Sequence, residues 1–309
     1  MSSTPAPLLV VGAVVSVQIG GALAKHVIDD VGPAAATALR LLFAAVVLAL
    51  LWRPRIPRQG LPLILLYGVT LAAMNLLFYE ALARAPLGAV VTVEFLGPLG
   101  VAVAGSRRVR DVGVVILAGL GILLLARGGG SVSLIGLLFA ALAGACWAGY
   151  ILVSAAVGRV HSDSTPLALA MAVAAVISLP FGAARGWHAD TRSLLLGAAI
   201  GILSSVLPYT LELEALRRLP ARMFGVLMSM EPAVAALAGM AILGETLTAR
   251  QWGGVACVIV ACVAVTLGQR RAPAVPAGSD FPTSAVKPRG RSRELSGLDT
   301  DEGFARGRQ

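Results

Sequence analysis

The sequence predicts an all-α integral membrane protein with ten transmembrane helices, arranged as two inverted repeats of five helices each. Three observations predict this fold class: the composition, the length of the apolar runs, and an internal repeat. Of the 309 residues, 57% are hydrophobic and 13% are charged, whereas soluble domains average about 25% charged residues. This composition nearly excludes a soluble globular enzyme.

Ten apolar runs are long enough to cross a bilayer, which requires about 20 mostly apolar residues. The predicted spans are 8-26, 34-52, 61-80, 87-105, 112-127, 132-156, 166-184, 193-213, 221-243 and 250-268. The fifth is the shortest. No basic region precedes the first span and no small-residue cleavage site follows it closely, so we expect it to be a retained helix.

Basic residues in the loops predict the orientation of the chain. The loops after the second, fourth, sixth and eighth spans carry ten Arg residues, and the alternate loops carry six basic residues. Eight more follow residue 268, in a polar tail, 269-309, that we expect to be a disordered cytoplasmic extension. Because basic loops favour the cytoplasmic side, both termini are predicted to be cytoplasmic. This pattern also argues against nucleic-acid binding.

An internal repeat appears when the chain is shifted by 134 residues. The shift aligns Glu80 with Glu214 and Pro98 with Pro232 without a gap. The predicted repeats are residues 8-127 and 132-268. Because five helices is an odd number, the second repeat enters the membrane in the opposite sense to the first. Inverted repeats recur in secondary transporters, which bind substrate near the midplane, so the architecture predicts transport.

Three ionisable residues lie well inside predicted spans: Arg40 in the second, Glu94 in the fourth and Glu231 in the ninth. A charge at the bilayer centre costs about 2.5–3.5 kcal/mol, so each is a candidate functional residue. Pro98 and Pro232 lie close after the glutamates and remove backbone donors, which predicts two interrupted helices. These residues predict a midplane substrate site. Alternatively, the three charges only pair with one another to hold the bundle together.

Five further residues inside the spans are assigned to the same substrate-binding site: Asn75, Tyr79, Trp147, Tyr150 and Tyr209. Asn75 and Tyr209 align in the repeat, which predicts a shared polar layer. For each of them, hydrogen bonding between helices for packing is an equally good interpretation.

Motifs of soluble catalysis are absent from the sequence, which has no HExxH, no Asp-rich metal pair and no GxxxxGK[ST] phosphate loop. The run Gly128-Gly129-Gly130 is predicted to be a tight loop between helices. The three cysteines lie apart in apolar runs, as small core residues do. We therefore expect a protein that is not an enzyme and has no catalytic residue, metal or cofactor. Its energy would come from an ion gradient or from the substrate's own gradient.

Several motifs together resemble the threonine/homoserine exporter branch of the drug/metabolite transporter superfamily. They are Thr37-Ala38-Leu39-Arg40-Leu41, Pro86-Leu87-Gly88, Gly97-Pro98-Leu99, Leu207-Pro208-Tyr209, Met228-Ser229-Met230-Glu231-Pro232 and Gly244-Glu245-Thr246-Leu247-Thr248. The likeness covers roughly residues 8-268. It implies a ten-helix inner-membrane carrier with two EamA-type repeats that exports small amphipathic metabolites, with threonine and homoserine as the type substrates.

The predicted mechanism is recognition of a zwitterion at the midplane. Arg40 supplies a fixed positive charge with bidentate geometry for the substrate carboxylate, and the ammonium lies near Glu94 or Glu231. Burial disfavours the charged form of a carboxyl group, so a glutamate in a dry cavity can exchange protons near neutral pH. Proton antiport follows if Glu94 or Glu231 must be protonated to release the substrate outward.

Two rival functions stay open at this stage. An exporter of hydrophobic cations or drugs would use the glutamates alone, and Arg40 opposes it by charge repulsion. A lipid-modifying or lipid-flipping protein would need His or Asp clusters, and the chain has three His residues. Since one chain contains both halves of the inverted pair, a substrate site requires no second copy.

Overall fold

The computed structural model of the chain describes residues 5–57, 59–104, 110–127, 132–161, 165–184, 190–216 and 218–268. Within these ranges it contains helices and no strand. The predicted tail 269-309, the predicted glycine loop 128-130 and several basic loop residues lie outside the described residues. Those basic residues are Arg58, Arg107, Arg108, Arg185 and Arg217.

In the described ranges the regular elements are thirteen α-helices and one π-helical segment. They are α1 (Ala6–Val31), α2 (Pro33–Trp52), α3 (Leu61–Leu82), α4 (Leu87–Glu94), α5 (Leu96–Ala104), α6 (Arg110–Ala126), α7 (Leu134–Gly158), α8 (Thr165–Ala183), α9 (Thr191–Gly201), the π segment (Ile202–Val206), α10 (Leu207–Leu216), α11 (Ala221–Met228), α12 (Glu231–Leu243) and α13 (Ala249–Gly268).

The transmembrane prediction is confirmed in the described part of the chain. Nine helical segments there are at least 18 residues long and apolar enough to span a membrane, and a tenth, Val112–Ala126, is shorter. This short helix matches the fifth predicted span. The main difference is that α1 extends to Val31, past the predicted end at 26.

Contacts between loops show which helix ends lie at the same end of the bundle. They agree with a chain that crosses the membrane ten times in succession. After the fifth and ninth spans, Arg250 Nη1 donates to the carbonyl of Arg127 at 3.1 Å. After the second and sixth spans, Gly60 lies so close to His161 that a Cβ on Gly60 would be 2.8 Å from the imidazole. Loops that should share a side of the membrane therefore meet at the same end of the bundle.

Polar side chains mark the start of two spans. Asp190 Oδ1 accepts from Ser193 N at 2.8 Å, and Ser133 Oγ accepts from Gly136 N at 3.4 Å. Each bond satisfies one of the backbone donors left free at a helix N-terminus. Hydrogen bonds from the backbone and side chain of Ser193 hold the pKa of Asp190 below its usual value.

The two predicted helix interruptions are confirmed. The fourth span breaks between α4 and α5, and the ninth breaks between α11 and α12. The α4 and α11 helices begin at Leu87 and Ala221, which are 134 residues apart. Pro98 and Pro232 lack an N–H, which leaves the carbonyls four residues earlier without their helical donors. The structure therefore breaks both helices next to the glutamates.

A third irregularity was not predicted, because the eighth span, 193-213, reads as one regular helix. The structure contains the π segment there, followed by Pro208. A π-helical turn pairs each N–H with the carbonyl five residues earlier, so Pro208 leaves Leu203 O without a donor. Ser16 Oγ of α1 supplies one, at 2.7 Å.

Candidate substrate-binding site

A cavity of about 150 Å³ lies at the centre of the bundle, where the interrupted helices and the π segment meet. Seven of the eight predicted site residues line it: Arg40, Asn75, Glu94, Trp147, Tyr150, Tyr209 and Glu231. They come from both predicted repeats. Gln18, Ser204 and Glu212 add further polar groups, and Val17, Met74, Phe78, Val91, Pro208 and Met228 form the apolar wall.

Arg40 is fixed by neutral acceptors. Its Nη2 donates to Ser204 O at 3.0 Å, and its Nε donates to Ser205 Oγ at 3.3 Å. Ser204 lies within the π segment, so this irregular stretch of backbone supplies the carbonyl that Arg40 uses. An irregularity of the neighbouring helix therefore positions the guanidinium. Such π-bulges are frequent at functional sites.

Among the described residues, no carboxylate lies within the 4.0 Å limit of an ion pair with Arg40. The side chain is 9% exposed and lines the cavity. Direct pairing of the three membrane charges, the alternative considered above, is therefore not observed in this part of the chain. The guanidinium keeps donor capacity for a ligand.

Tyr79 does not line the cavity, although it was predicted to belong to the site. It is fully buried, and the Cζ of Arg40 lies 5.7 Å from the centroid of its ring. This geometry allows a cation–π interaction. Tyr79 therefore packs near Arg40 without lining the cavity.

Glu94 and Glu231 lie on opposite sides of their helix breaks. Glu94 is the last residue of α4 and Glu231 the first of α12, and they are 8% and 6% exposed. Neither makes a hydrogen bond or ion pair with a described residue. Gly144 of α7 allows the close approach at Glu94, because a Cβ there would lie 2.6 Å from the Glu94 carbonyl oxygen.

The aromatic residues and Asn75 form the walls between these charges. Trp147 packs edge-on against Phe95 with ring centroids 5.1 Å apart, and Tyr150 packs on Tyr67 at 5.0 Å. Asn75 Nδ2 donates to Leu71 O at 2.8 Å, which leaves its Oδ1 without a partner among the described residues. These contacts hold the side chains in place at the cavity surface.

Glu212 is the functional candidate that the sequence analysis missed. It lies at the end of the predicted span 193-213, where a charge indicates the membrane interface, yet it lines the central cavity. Residues three apart share a helix face, so its spacing from Tyr209 was a usable signal. The π segment before α10 changes the number of residues per turn, so the depth of Glu212 in the membrane could not be counted along a regular helix.

A separate ion pair lies at one end of the bundle. Lys25 of α1 pairs with Glu245, which follows α12, and also donates to Ala85 O at 3.1 Å. The second carboxylate oxygen of Glu245 accepts from Leu87 N at 2.8 Å. We call this set the end latch. It joins α1, the start of α4 and the loop after α12.

Comparison with known proteins assigns the family. The EamA-like transporter family matches residues 4–127 and 134–267, which is most of the chain. The chain belongs to this family. As an EamA-like transporter, it is a multi-pass membrane protein, in agreement with its apolar helices.

Similar proteins support this EamA-like assignment. The chain is 44% identical over 279 residues to Threonine/homoserine exporter RhtA of Salmonella typhimurium LT2, covering 87% of this chain and 93% of that protein. It is 45% identical over 270 residues to the Escherichia coli K12 protein of the same name, covering 84% and 90%. An uncharacterized transporter of Bacillus subtilis, YwfM, is 27% identical over 260 residues, covering 79% and 87%.

A solved structure titled "Crystal structure of protein" supports the fold. It aligns with a TM-score of 0.60 and 22% sequence identity, covering 84% of this chain and 96% of the other. The resemblance to the exporter branch made from the motifs is therefore confirmed at the level of family and relatives. The relatives with descriptive names are transporters, which agrees with the expectation of a non-enzymatic function.

Proposed function

We propose that this transporter exports small zwitterionic amino acids from the cytoplasm, with threonine and homoserine as the first candidates. The observation that carries the proposal is Arg40, which enters the central cavity with neutral acceptors behind it and no carboxylate partner among the described residues. A guanidinium in this state binds a carboxylate through charge-assisted hydrogen bonds. The curated exporters at 44–45% identity support the substrate class.

The cavity provides a complement for each part of an amino acid. The substrate carboxylate binds Arg40, and the ammonium lies near Glu94 or Glu231. Asn75 and Tyr209 offer hydrogen bonds to a side-chain hydroxyl, and Trp147 and Tyr150 enclose its carbon atoms. The volume of about 150 Å³ is below the roughly 300–1,000 Å³ typical of sites for drug-sized ligands, which favours a small metabolite.

Charge balance supports coupling to protons. One guanidinium and three carboxyl groups line the cavity, and a zwitterion adds no net charge. Excess negative charge inside a membrane is costly. We propose that Glu94 or Glu231 carries a proton in part of the cycle, so that export of the amino acid is exchanged for protons.

The proposed orientation places both termini in the cytoplasm. In that orientation the end latch lies on the outer side of the bundle, because Lys25 lies in the half of α1 that is farther from its N-terminus and pairs with Glu245. Export then requires the latch to open after substrate has entered from the cytoplasm. The latch supports an alternating-access cycle of the kind used by other transporters with inverted repeats.

Efflux of labelled threonine and homoserine from loaded cells tests the proposal. We expect the wild-type protein to accelerate efflux and Arg40→Ala to abolish the gain, with partial activity in Arg40→Lys because an ammonium offers no bidentate geometry. Arg192→Ala is the matched control, since Arg192 is largely exposed outside the cavity. Normal efflux by a membrane-inserted Arg40→Ala variant would contradict the proposal.

A further inference from the structure

A second cavity of about 290 Å³ lies beside the central one, between α5, α7, α11 and α13. Its wall is mostly apolar and includes Phe95, Leu99, Ile151, Phe224 and Val265. Trp147, Glu212 and Met228 belong to both cavities. An occupant of the second cavity would therefore lie against the boundary of the first.

The two cavities differ in their charged residues. Arg40 lines the central cavity but not the second, whose described wall contains no Lys or Arg. Glu212 is the ionisable acid of that wall, and it makes no hydrogen bond or ion pair with a described residue. A lone carboxylate at the edge of an apolar cavity is a costly arrangement unless a cation or proton compensates it.

The aromatic side chains strengthen the preference for a cation. Phe95 and Trp147 pack edge to face at 5.1 Å, and Phe224 lines the cavity from α11. Aromatic faces attract ammonium groups, and cages built from them recognise quaternary ammonium ligands. An apolar wall, aromatic faces and one carboxylate together match a positively charged nitrogen on an apolar body.

We propose that the second cavity is a ligand site for organic ammonium ions with an apolar body, whose positive nitrogen is held by Glu212. No carboxylate on the ligand is needed, which distinguishes this site from the zwitterion site at Arg40. The ammonium belongs either to a free organic amine or to an amino acid on its way to the central cavity. Because the cavities share a wall, a bound amine obstructs the passage of the zwitterion.

Calorimetric titration of the full-length protein in detergent with benzyltrimethylammonium tests the site, because this probe has a fixed charge and no carboxylate. We expect saturable binding by the wild type and binding about tenfold weaker or worse by Glu212→Gln. Glu80→Gln is the matched control, since Glu80 lines neither cavity and pairs with Arg84. It should keep the affinity within about threefold because the charge it removes lies farther from the ligand. No wild-type binding, or equal losses in both variants, would overturn the proposal.

Phe224→Leu provides a second test that does not depend on the folding of a charge variant. It retains an apolar side chain and removes an aromatic face, so we expect weaker binding of benzyltrimethylammonium. Unchanged affinity in this variant would count against the site.

A titration with threonine separates this proposal from the proposed function. Arg40→Ala should lose threonine binding and keep benzyltrimethylammonium binding. If the wild type binds the ammonium ion through Glu212 but binds no threonine, the second site stands and the substrate assignment fails. If Arg40→Ala loses both ligands equally, a separate site is excluded.

Discussion

Charged residues make different contacts at the ends of the bundle and in its centre. At the ends, Lys25 pairs with Glu245 and Arg84 pairs with Glu80. In the centre, Arg40 and the three cavity glutamates line one space without an ion pair among the described residues. The end charges therefore join helices, whereas the central charges keep hydrogen-bonding capacity that a ligand could use.

The strongest way to break this contrast is to give Arg40 a permanent partner. Ser205 Oγ lies 3.3 Å from Arg40 Nε, and Ser205 is fully buried. We expect Ser205→Asp to form an ion pair with Arg40 and to reduce threonine efflux about a hundredfold, because the guanidinium then competes poorly for the substrate carboxylate. Ser205→Asn is the neutral control of similar size. Efflux that survives Ser205→Asp would show that Arg40 does not bind substrate.

Neutralising the central glutamates one at a time sharpens the comparison. We expect Glu94→Gln or Glu231→Gln to reduce efflux about tenfold and to remove its dependence on external pH, since proton exchange requires an ionisable group. The measurement is the initial rate of threonine efflux at a series of external pH values. Glu80→Gln serves as the control because that carboxylate is paired outside the cavity. A pH dependence unchanged in both cavity variants would exclude these residues from proton coupling.

Breaking the end latch should lower the stability of the protein. Glu245→Ala removes the partner of Lys25 and the acceptor for Leu87 N. Lys25→Met removes only the ion pair and the bond to Ala85 O. We therefore expect a loss of about 2 kcal/mol for the first and less for the second. Thermal unfolding in detergent measures the two losses of stability. A larger loss for Lys25→Met than for Glu245→Ala would contradict the role of Glu245 as the acceptor for Leu87 N.

The smallest expected effect is at Asp190, which caps α9. Its pKa is lowered by the hydrogen bonds from Ser193, so the cap contributes stability above the unfolded pKa of about 4 and loses it as pH falls through the folded value. We expect Asp190→Ala to lower the Tm slightly at neutral pH and not at strongly acidic pH. Asp190→Asn should retain part of the cap. A Tm difference that persists in acid would point to another cause.

The fold was predictable because apolar length is a strong signal in membrane proteins. Helices must satisfy their own backbone in lipid, so runs bounded by charge and proline predict the spans directly. The site was largely predictable for the same energetic reason, since Arg40, Glu94 and Glu231 are too costly to bury without a function.

The remaining features depend on geometry that spacing alone does not reveal. Tyr79 reads like a cavity residue, but the structure places it behind Arg40. The sequence position of Glu212 indicates a charge at the membrane interface. The π segment shifts its helix, and Glu212 lines the central cavity. The partners Lys25 and Glu245 lie 220 residues apart in sequence, and no local pattern connects them.

The π segment and the proline that follows it have a consequence for how this protein tolerates sequence change. The acceptor at position 204 is a main-chain oxygen, so every amino acid placed there still provides it. The orientation of the guanidinium therefore depends on the main-chain path of the π segment and not on the side chain at position 204. A mutational scan should find small residues tolerated at the buried position 204 and position 208 sensitive, since a residue other than proline at 208 restores an N–H that competes with Ser16 for Leu203 O.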